Sequence, residues 1–489
     1  MVQWQQTLDI AEDDGRTLVA RIASALVAEI TGGRLHPGEA LPGTRALSGS
    51  LGVHRNTVLA AYETLIAEGW LVTERARATR VATNLPITQP KRFASGRASR
   101  NCIAERAGFD VAPGPVLRER ELPRGCVALY GGQPDVSLFP IELYLRELRR
   151  AMRLRGVSLL DYGSAFGHPK LRDALATMLS ALRGLAATRA NVLVTRGSQQ
   201  ALDLLARAIV RPGDEVMVEA LGYAPAWAAL RAAGAVVTAL PVDRHGASID
   251  ALAQRCLTAP PRLIYLTPHH QYPTGVTLSA SRRLMLLSLA KKHRICIVED
   301  DYDHEFHYEG RPVLPIASAD REGLVLYVGT LSKLLAPGLR TGYVVGPAKL
   351  IETLAAHRTY NDRQGDLASE VALATLIEDG TVAHHARRAR AVYRERRDAL
   401  VRSLSEFAGN SLVFDIPRGG LALWAKLRTL KGADAVIARC SERSLLIQST
   451  RALCFDGRDR GYLRLGFGGN DSQTLARAAK TLGSVVADL

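Results

Sequence analysis

The feature that most constrains this chain is a series of short apolar runs separated by helix-length amphipathic segments. The runs are "NVLVT" (191–195), "EVMVE" (215–219), "AVVTAL" (235–240), "RLIYLT" (262–267), "ICIVED" (295–300), "LVLYVG" (324–329) and "GYVVG" (342–346). Segments such as Gln199 to Val210 and Ser279 to His293 lie between them. Strands that are apolar throughout need cover on both faces, so the alternation predicts an α/β fold with a mostly parallel seven-stranded sheet between helices. After an arginine-rich helix over about 382–406, the order "SLVFDI", "GLALWAKL", helix, "SLLIQ", "YLRLGF", helix predicts a smaller α+β domain. With 47% hydrophobic residues the chain has the material for such cores.

In an open α/β sheet, ligands bind beyond the carboxyl ends of the strands. There the chain carries Gly197-Ser198-Gln199 opening a helix, Tyr223 after "EVMVEA", "HHQYPTG" (269–275), "DDYD" (300–303), and Thr330, Ser332, Lys333 and Arg340 in "TLSKLLAPGLR". Taken singly, Ser198 reads as an ordinary helix cap, Asp300 as another and Lys333 as a surface group. Taken together they supply what pyridoxal 5'-phosphate requires. Gly197, Ser198, Gln199, Thr330, Ser332 and Arg340 form an anion cradle. Asp300 keeps the ring nitrogen protonated, Tyr302 donates to the ring oxygen and Tyr223 offers an aromatic platform. Lys333 forms a Schiff base with the aldehyde.

"GSQQALDLL", "TPHHQYPTGVTLS", "IVEDDYDHEF" and "GTLSKLLAPGLRTGY" resemble the fold-type-I aminotransferase-like domain of the MocR/GabR group of regulators, over residues 126 to 489. The resemblance implies a large domain over about 160–360 and a small one over about 380–489. It assigns Asp300 to the ring nitrogen, Tyr302 to the ring oxygen, Lys333 to the aldehyde and Arg340 to the phosphate. "YLRLGF" implies that Arg464 clamps the α-carboxylate of an amino acid, the alternative being a structural salt bridge. Tyr272 stands where ordinary aminotransferases carry Asn, which favours a regulator. His269 stands where the group more often has a small residue and reads as a solvent-facing loop histidine.

Residues 15–83 resemble the GntR-type winged helix-turn-helix, an α+β DNA-binding domain. "TLVARIASALVAEIT", "TRALSGSLGV" and "HRNTVLAAYETLIAEGW" read as its helices and "WLVTERARATRVA" as its wing. The third helix begins at His54-Arg55-Asn56-Thr57, offering its N-terminus to double-stranded DNA. Arg55 suits base readout, Thr57 a phosphate or methyl contact and Arg45 the backbone or a guanine. The wing lacks the family's glycines; Arg77 and Arg80 either press on DNA or are solvated. Residues 84–125, rich in Pro, Ser, Gly and Arg, read as a linker. "HHARRARAVYRERR" (384–397) is either a DNA-tracking surface or the solvated face of a helix.

The formal net charge is +15, yet residues 1–125 hold 16 Lys and Arg against 13 Asp and Glu, so bulk charge does not mark the DNA-binding part. The 6 cysteines form no CxxC pair, which argues against zinc ribbons and a disulfide framework. No secretory leader and no apolar run long enough for a bilayer is legible, so a cytoplasmic location is expected. The resemblance implies a homodimer in which each DNA-binding module reaches the partner subunit. The expected function is a transcription regulator that senses an amino compound, or pyridoxal phosphate itself, as the effector's amine displaces Lys333. The alternative is a working aminotransferase with an appended DNA-binding module.

Overall fold

The computed structural model describes residues 8, 10, 16–74, 78–86, 107–111, 123–310, 313–428 and 432–488. The chain divides into two compact units, Met1–Arg118 and Glu119–Leu489.

The first unit holds helices Leu18–Thr31, Thr44–Leu51 and Arg55–Ala67, then an antiparallel hairpin of Leu71–Glu74 and Ala78–Val81. Ile22, Leu26 and Ile30 recur at helical spacing and bury against Leu47, Val58, Tyr62 and Leu65. Truncating Leu65 there costs about 2–5 kcal/mol. The second helix stops at Gly52, whose φ of 66° is open to glycine at little cost.

The second unit is built on a seven-stranded sheet. Its order is Val192–Thr195, Gly342–Val345, Val325–Thr330, Cys296–Asp301, Leu263–Leu266, Glu215–Glu219, Val236–Leu240. Only Gly342–Val345 runs antiparallel to its neighbours. Alternate residues explain the unbroken apolar runs. Val216, Val218, Val298 and Val328 pack against Leu204, Leu205, Trp227 and Leu354. Met217, Ile264, Ile297 and Val325 pack against Leu252 and Leu286 on the opposite face. The six parallel strands therefore end at one edge, where the polar motifs follow.

The smaller domain has the antiparallel sheet Leu412–Phe414, Ala422–Leu427, Tyr462–Gly466, with helices Thr381–Ala408 and Ser472–Ala487 packed together. One expected strand belongs elsewhere: Leu445–Leu446 pairs in parallel with Val127–Ala128. Within the basic helix, Arg397 is buried rather than displayed, donating to Glu309 at 2.9 Å and to the Pro417 carbonyl at 2.8 Å. Among the described residues no helix is long and apolar enough to cross a membrane.

Candidate functional site

A cavity of ≈ 710 Å³ opens at the carboxyl edge of the large sheet. The residues lining it include Gly197, Ser198, Gln199, Tyr223, Tyr272, Asp300, Tyr302, Thr330, Ser332, Lys333, Arg340 and Arg464. Every cofactor and effector residue expected from the sequence thus faces one space.

Asp300 is buried at the end of Cys296–Asp301. Its Oδ2 accepts from the Tyr265 hydroxyl at 2.7 Å, while its Oδ1 is buried without a partner. Burial raises its pKa to about 7, opposed by the Tyr265 hydrogen bond and by the charge of Lys333. A carboxylate with an open, buried oxygen suits a charged ring N–H, which would hold it ionised. Tyr302 lies on the cavity wall, but its hydroxyl donates to the His270 carbonyl at 2.9 Å.

The anion cradle forms where two loops meet. Gly197 has φ 81° and caps the helix Ser198–Ile209. A Cβ there would sit 3.3 Å from Arg340 Nη2, so the glycine lets the guanidinium lie on the loop. Arg340 donates to the Arg196 carbonyl at 3.0 Å. Thr330 Oγ1 accepts from the Ser332 amide at 3.0 Å, and Ser332 Oγ is buried without a partner. Gln199 donates to the Pro225 carbonyl at 3.1 Å, leaving Oε1 unpartnered. Helix-terminal amides beside an arginine and an open hydroxyl fit a phosphate ester.

Arg464 leaves the strand Tyr462–Gly466 toward the same cavity. It is buried, its Nε and Nη1 lack partners, and its guanidinium stands 4.4 Å from the Tyr272 ring centroid. Among the described residues Arg464 makes no salt bridge, so the structural alternative allowed by the sequence finds no partner there. A Cβ on Gly131 would collide with Nη1, and one on Gly132 would lie 3.3 Å from Nη2. Tyr223 and Tyr272 meet edge-on at 5.7 Å, as do Tyr272 and Tyr302 at 6.0 Å.

Two contributors escape the sequence reading. Tyr265 lies inside an apolar run and looks like core. The Gly131-Gly132 pair precedes the recognised strands; the doubled glycine was its only local signal. A correction concerns His269, which is 3% exposed rather than solvent-facing. Its ring stacks on His304 at 4.5 Å, because the 269–271 loop folds beneath the segment 303–308.

In the first unit, His54 caps the third helix, its Nδ1 accepting from the Asn56 amide at 3.3 Å. His54, Arg55, Asn56 and Arg45 are exposed and Thr57 is half-buried. Arg55 donates to Thr44 Oγ1 at 3.3 Å, which ties the start of this helix to the start of the preceding one. Arg80 is placed apart, at the wing base, where its guanidinium donates to the Gly38 carbonyl at 3.0 Å. Arg77 lies outside the described residues.

Residues 18–81 match the model of bacterial regulatory proteins of the gntR family, and residues 132–482 that of aminotransferase class I and II. The chain is 35% identical over 94% of its length, and 92% of the relative's, to a probable rhizopine catabolism regulatory protein MocR of Rhizobium meliloti. It is 29% identical over 91% of its length, and 90% of the relative's, to the pyridoxine biosynthesis transcriptional regulator PdxR of Corynebacterium glutamicum. Among solved structures, Pyrococcus horikoshii kynurenine aminotransferase, in complex with PMP, superposes with a TM-score of 0.70 at 29% identity, covering 74% of this chain and 91% of that one. With a gntR-type DNA-binding domain ahead of an aminotransferase-like domain, the chain belongs to the MocR family of transcription regulators.

Proposed function

We propose that the protein binds pyridoxal phosphate and regulates transcription in response to an amino acid or related amine. One observation carries the reading: buried, unpartnered polar atoms of Asp300, Ser332, Gln199 and Arg464 converge on a single cavity that Lys333 also lines. Such atoms cost free energy in an empty protein and are explained by a ligand that satisfies them.

When bound, the cofactor supplies an aldehyde carbon that condenses with primary amines. The chain's own residues position it. Arg340, Ser332, Thr330 and the amides of Gly197, Ser198 and Gln199 would hold the phosphate. Asp300, fixed by Tyr265, would hold a proton at the ring nitrogen; Tyr223 would offer the ring an aromatic wall, and Tyr302 would reach the ring oxygen if its hydroxyl leaves the His270 carbonyl. Lys333 presents the amine with which an effector competes, and Arg464 binds that effector's carboxylate. The DNA-binding residues are Arg45, His54, Arg55, Asn56 and Thr57, with Arg77 and Arg80 in the wing. The effector alters DNA binding only to the extent that it binds the two states of the protein with different affinity.

The working boundaries are 15–83 for the DNA-binding domain, 84–125 for the linker and 126–489 for the effector domain. A cytoplasmic homodimer, with each DNA-binding module exchanged onto its partner, is part of the reading. Supporting association, Leu154, Val157, Leu160 and Tyr162 are 71–82% exposed and Tyr360 93%. The test is a spectral titration of the holoprotein with amino acids, other amines and pyridoxal phosphate, with and without operator DNA. A response confined to particular amines and altered by DNA supports the reading; none, with the cofactor bound, overturns the sensor assignment. Sustained multi-turnover transfer between amino donors and keto acids would favour the enzyme alternative, for which the complete Lys333–Asp300–Arg464 set speaks.

A further inference from the structure

Behind the cofactor cavity lies a second constellation that binding of an amine does not use. His269, His270 and His307 each direct a ring nitrogen into one small space, the ligand atoms lying within 4.8 Å of one another. His269 and His270 are each 3% exposed. Both nitrogens of His269, the Nε2 of His270 and the Nδ1 of His307 are buried with no hydrogen-bond partner among the described residues. Histidines packed as mere core would be expected to satisfy these atoms.

The surroundings are those of a metal site. His270 Nδ1 lies 2.7 Å from Asp303 Oδ1, the carboxylate–imidazole pairing that orients a ligand and raises its basicity. A proton on His270 Nε2 would be a buried donor with nothing to receive it; a cation in its place removes that cost. Gly419 allows the approach, since a Cβ there would collide with His270 Nε2. In a tetrahedral zinc site with Zn–N of about 2.1 Å the nitrogens stand roughly 3.4 Å apart, so modest side-chain rotation closes the ring.

We propose that His269, His270 and His307 form a binding site for a borderline divalent transition metal of the zinc class, with a fourth position left for water or an anion. All three histidines lie in the large domain, where the site would tie the loop 269–271 to the segment 303–308. The segment 306–308 pairs with 418–420 through Tyr308 N to Arg418 O at 2.8 Å and Gly420 N to Phe306 O at 2.8 Å. It also adjoins the cofactor wall, because the His270 carbonyl receives the Tyr302 hydroxyl. A bound metal would therefore fix the large-domain segment that pairs with 418–420, beside the effector cavity.

The experiment uses tag-free, full-length holoprotein stripped with chelator, desalted and given Zn²⁺ or Co²⁺ alone. Expected are one equivalent of metal per chain after desalting, and with Co²⁺ the intense visible absorption of a four-coordinate nitrogen site. His269→Ser and His307→Asn should each weaken binding at least tenfold, and Asp303→Asn about 10–100-fold. Pyridoxal absorbance and the circular dichroism spectrum report whether each variant is folded; the partly exposed His307 gives a second chance should His269→Ser not fold. No stoichiometric metal in the parent, or equal affinity in the folded His307→Asn variant, overturns the site.

Discussion

The Tyr265 hydroxyl donates to Asp300 Oδ2 at 2.7 Å and leaves Oδ1 buried and open toward the cavity. The pair divides the work of one carboxylate: one oxygen fixes its orientation and the other is kept for the ligand. Tyr265→Phe should leave the fold intact and weaken cofactor retention, because the carboxylate loses its anchor at a net cost of about 1.5–3 kcal/mol. Dialysis of holoprotein followed by absorbance checks it; unchanged retention removes Tyr265 from the site.

The raised pKa of Asp300, about 7, has a defined consequence for cofactor-free protein. Its value in the unfolded chain is about 3.9, so from there up to about 7 the native state holds the extra proton and stability falls as pH rises. His269 opposes this, since its lowered pKa makes the native state bind fewer protons below its unfolded value. Comparing Asp300→Asn with the parent cancels that contribution. The variant should gain stability relative to the parent between pH 5 and pH 8, by at least about 1.4 kcal/mol, one pKa unit's worth. Parallel urea-denaturation curves across that range would contradict it.

Lys333→Ala should still take up pyridoxal phosphate through the phosphate and ring contacts, but without covalent attachment. Borohydride reduction and peptide mass spectrometry should find the label on Lys333 in the parent and on no residue in the variant. A label elsewhere refutes the anchor.

Arg464→Ala should weaken a carboxylate-bearing effector about ten- to hundredfold, the worth of about 1.5–3 kcal/mol for a charge-assisted contact. Gly131→Ala should act in the same direction with the charge retained. Its Cβ would lie 2.9 Å from Arg464 Cγ, too close for the side chain to stay where it is. Superposable effector titrations for parent and variants would cancel the role.

Arg55→Ala should lose about 1–3 kcal/mol of discrimination between operator and mutated operator. Arg80→Ala should change discrimination less, because Arg80 is engaged with the Gly38 carbonyl. Competition binding at fixed salt separates the two, and equal losses would place Arg80 in the readout as well.

The strand runs, the helix starts and the strand-end motifs are legible because local spacing alone decides them. Gly197, Asp300, Lys333 and Arg340 follow strands whose carboxyl ends share one edge, so the sheet topology brings them together. Tyr265 was hidden because a tyrosine in an apolar strand looks the same whether or not its hydroxyl has a task. Arg397 was misleading because helical spacing cannot say which arginine meets a buried acceptor, here the Pro417 carbonyl.

By itself the order of residues determines a DNA-reading helical module followed by a parallel sheet with a lysine, a carboxylate and arginines at its strand ends. Tertiary structure alone decides that Tyr265 orients Asp300, that Gly131 makes room for Arg464, and that His269 is buried beside His270 and His307. Apart from the adjacent His269 and His270, these partners lie tens to hundreds of residues apart along the chain. Their meeting is set by strand register and by how two domains pack, and neither quantity is written into any short stretch.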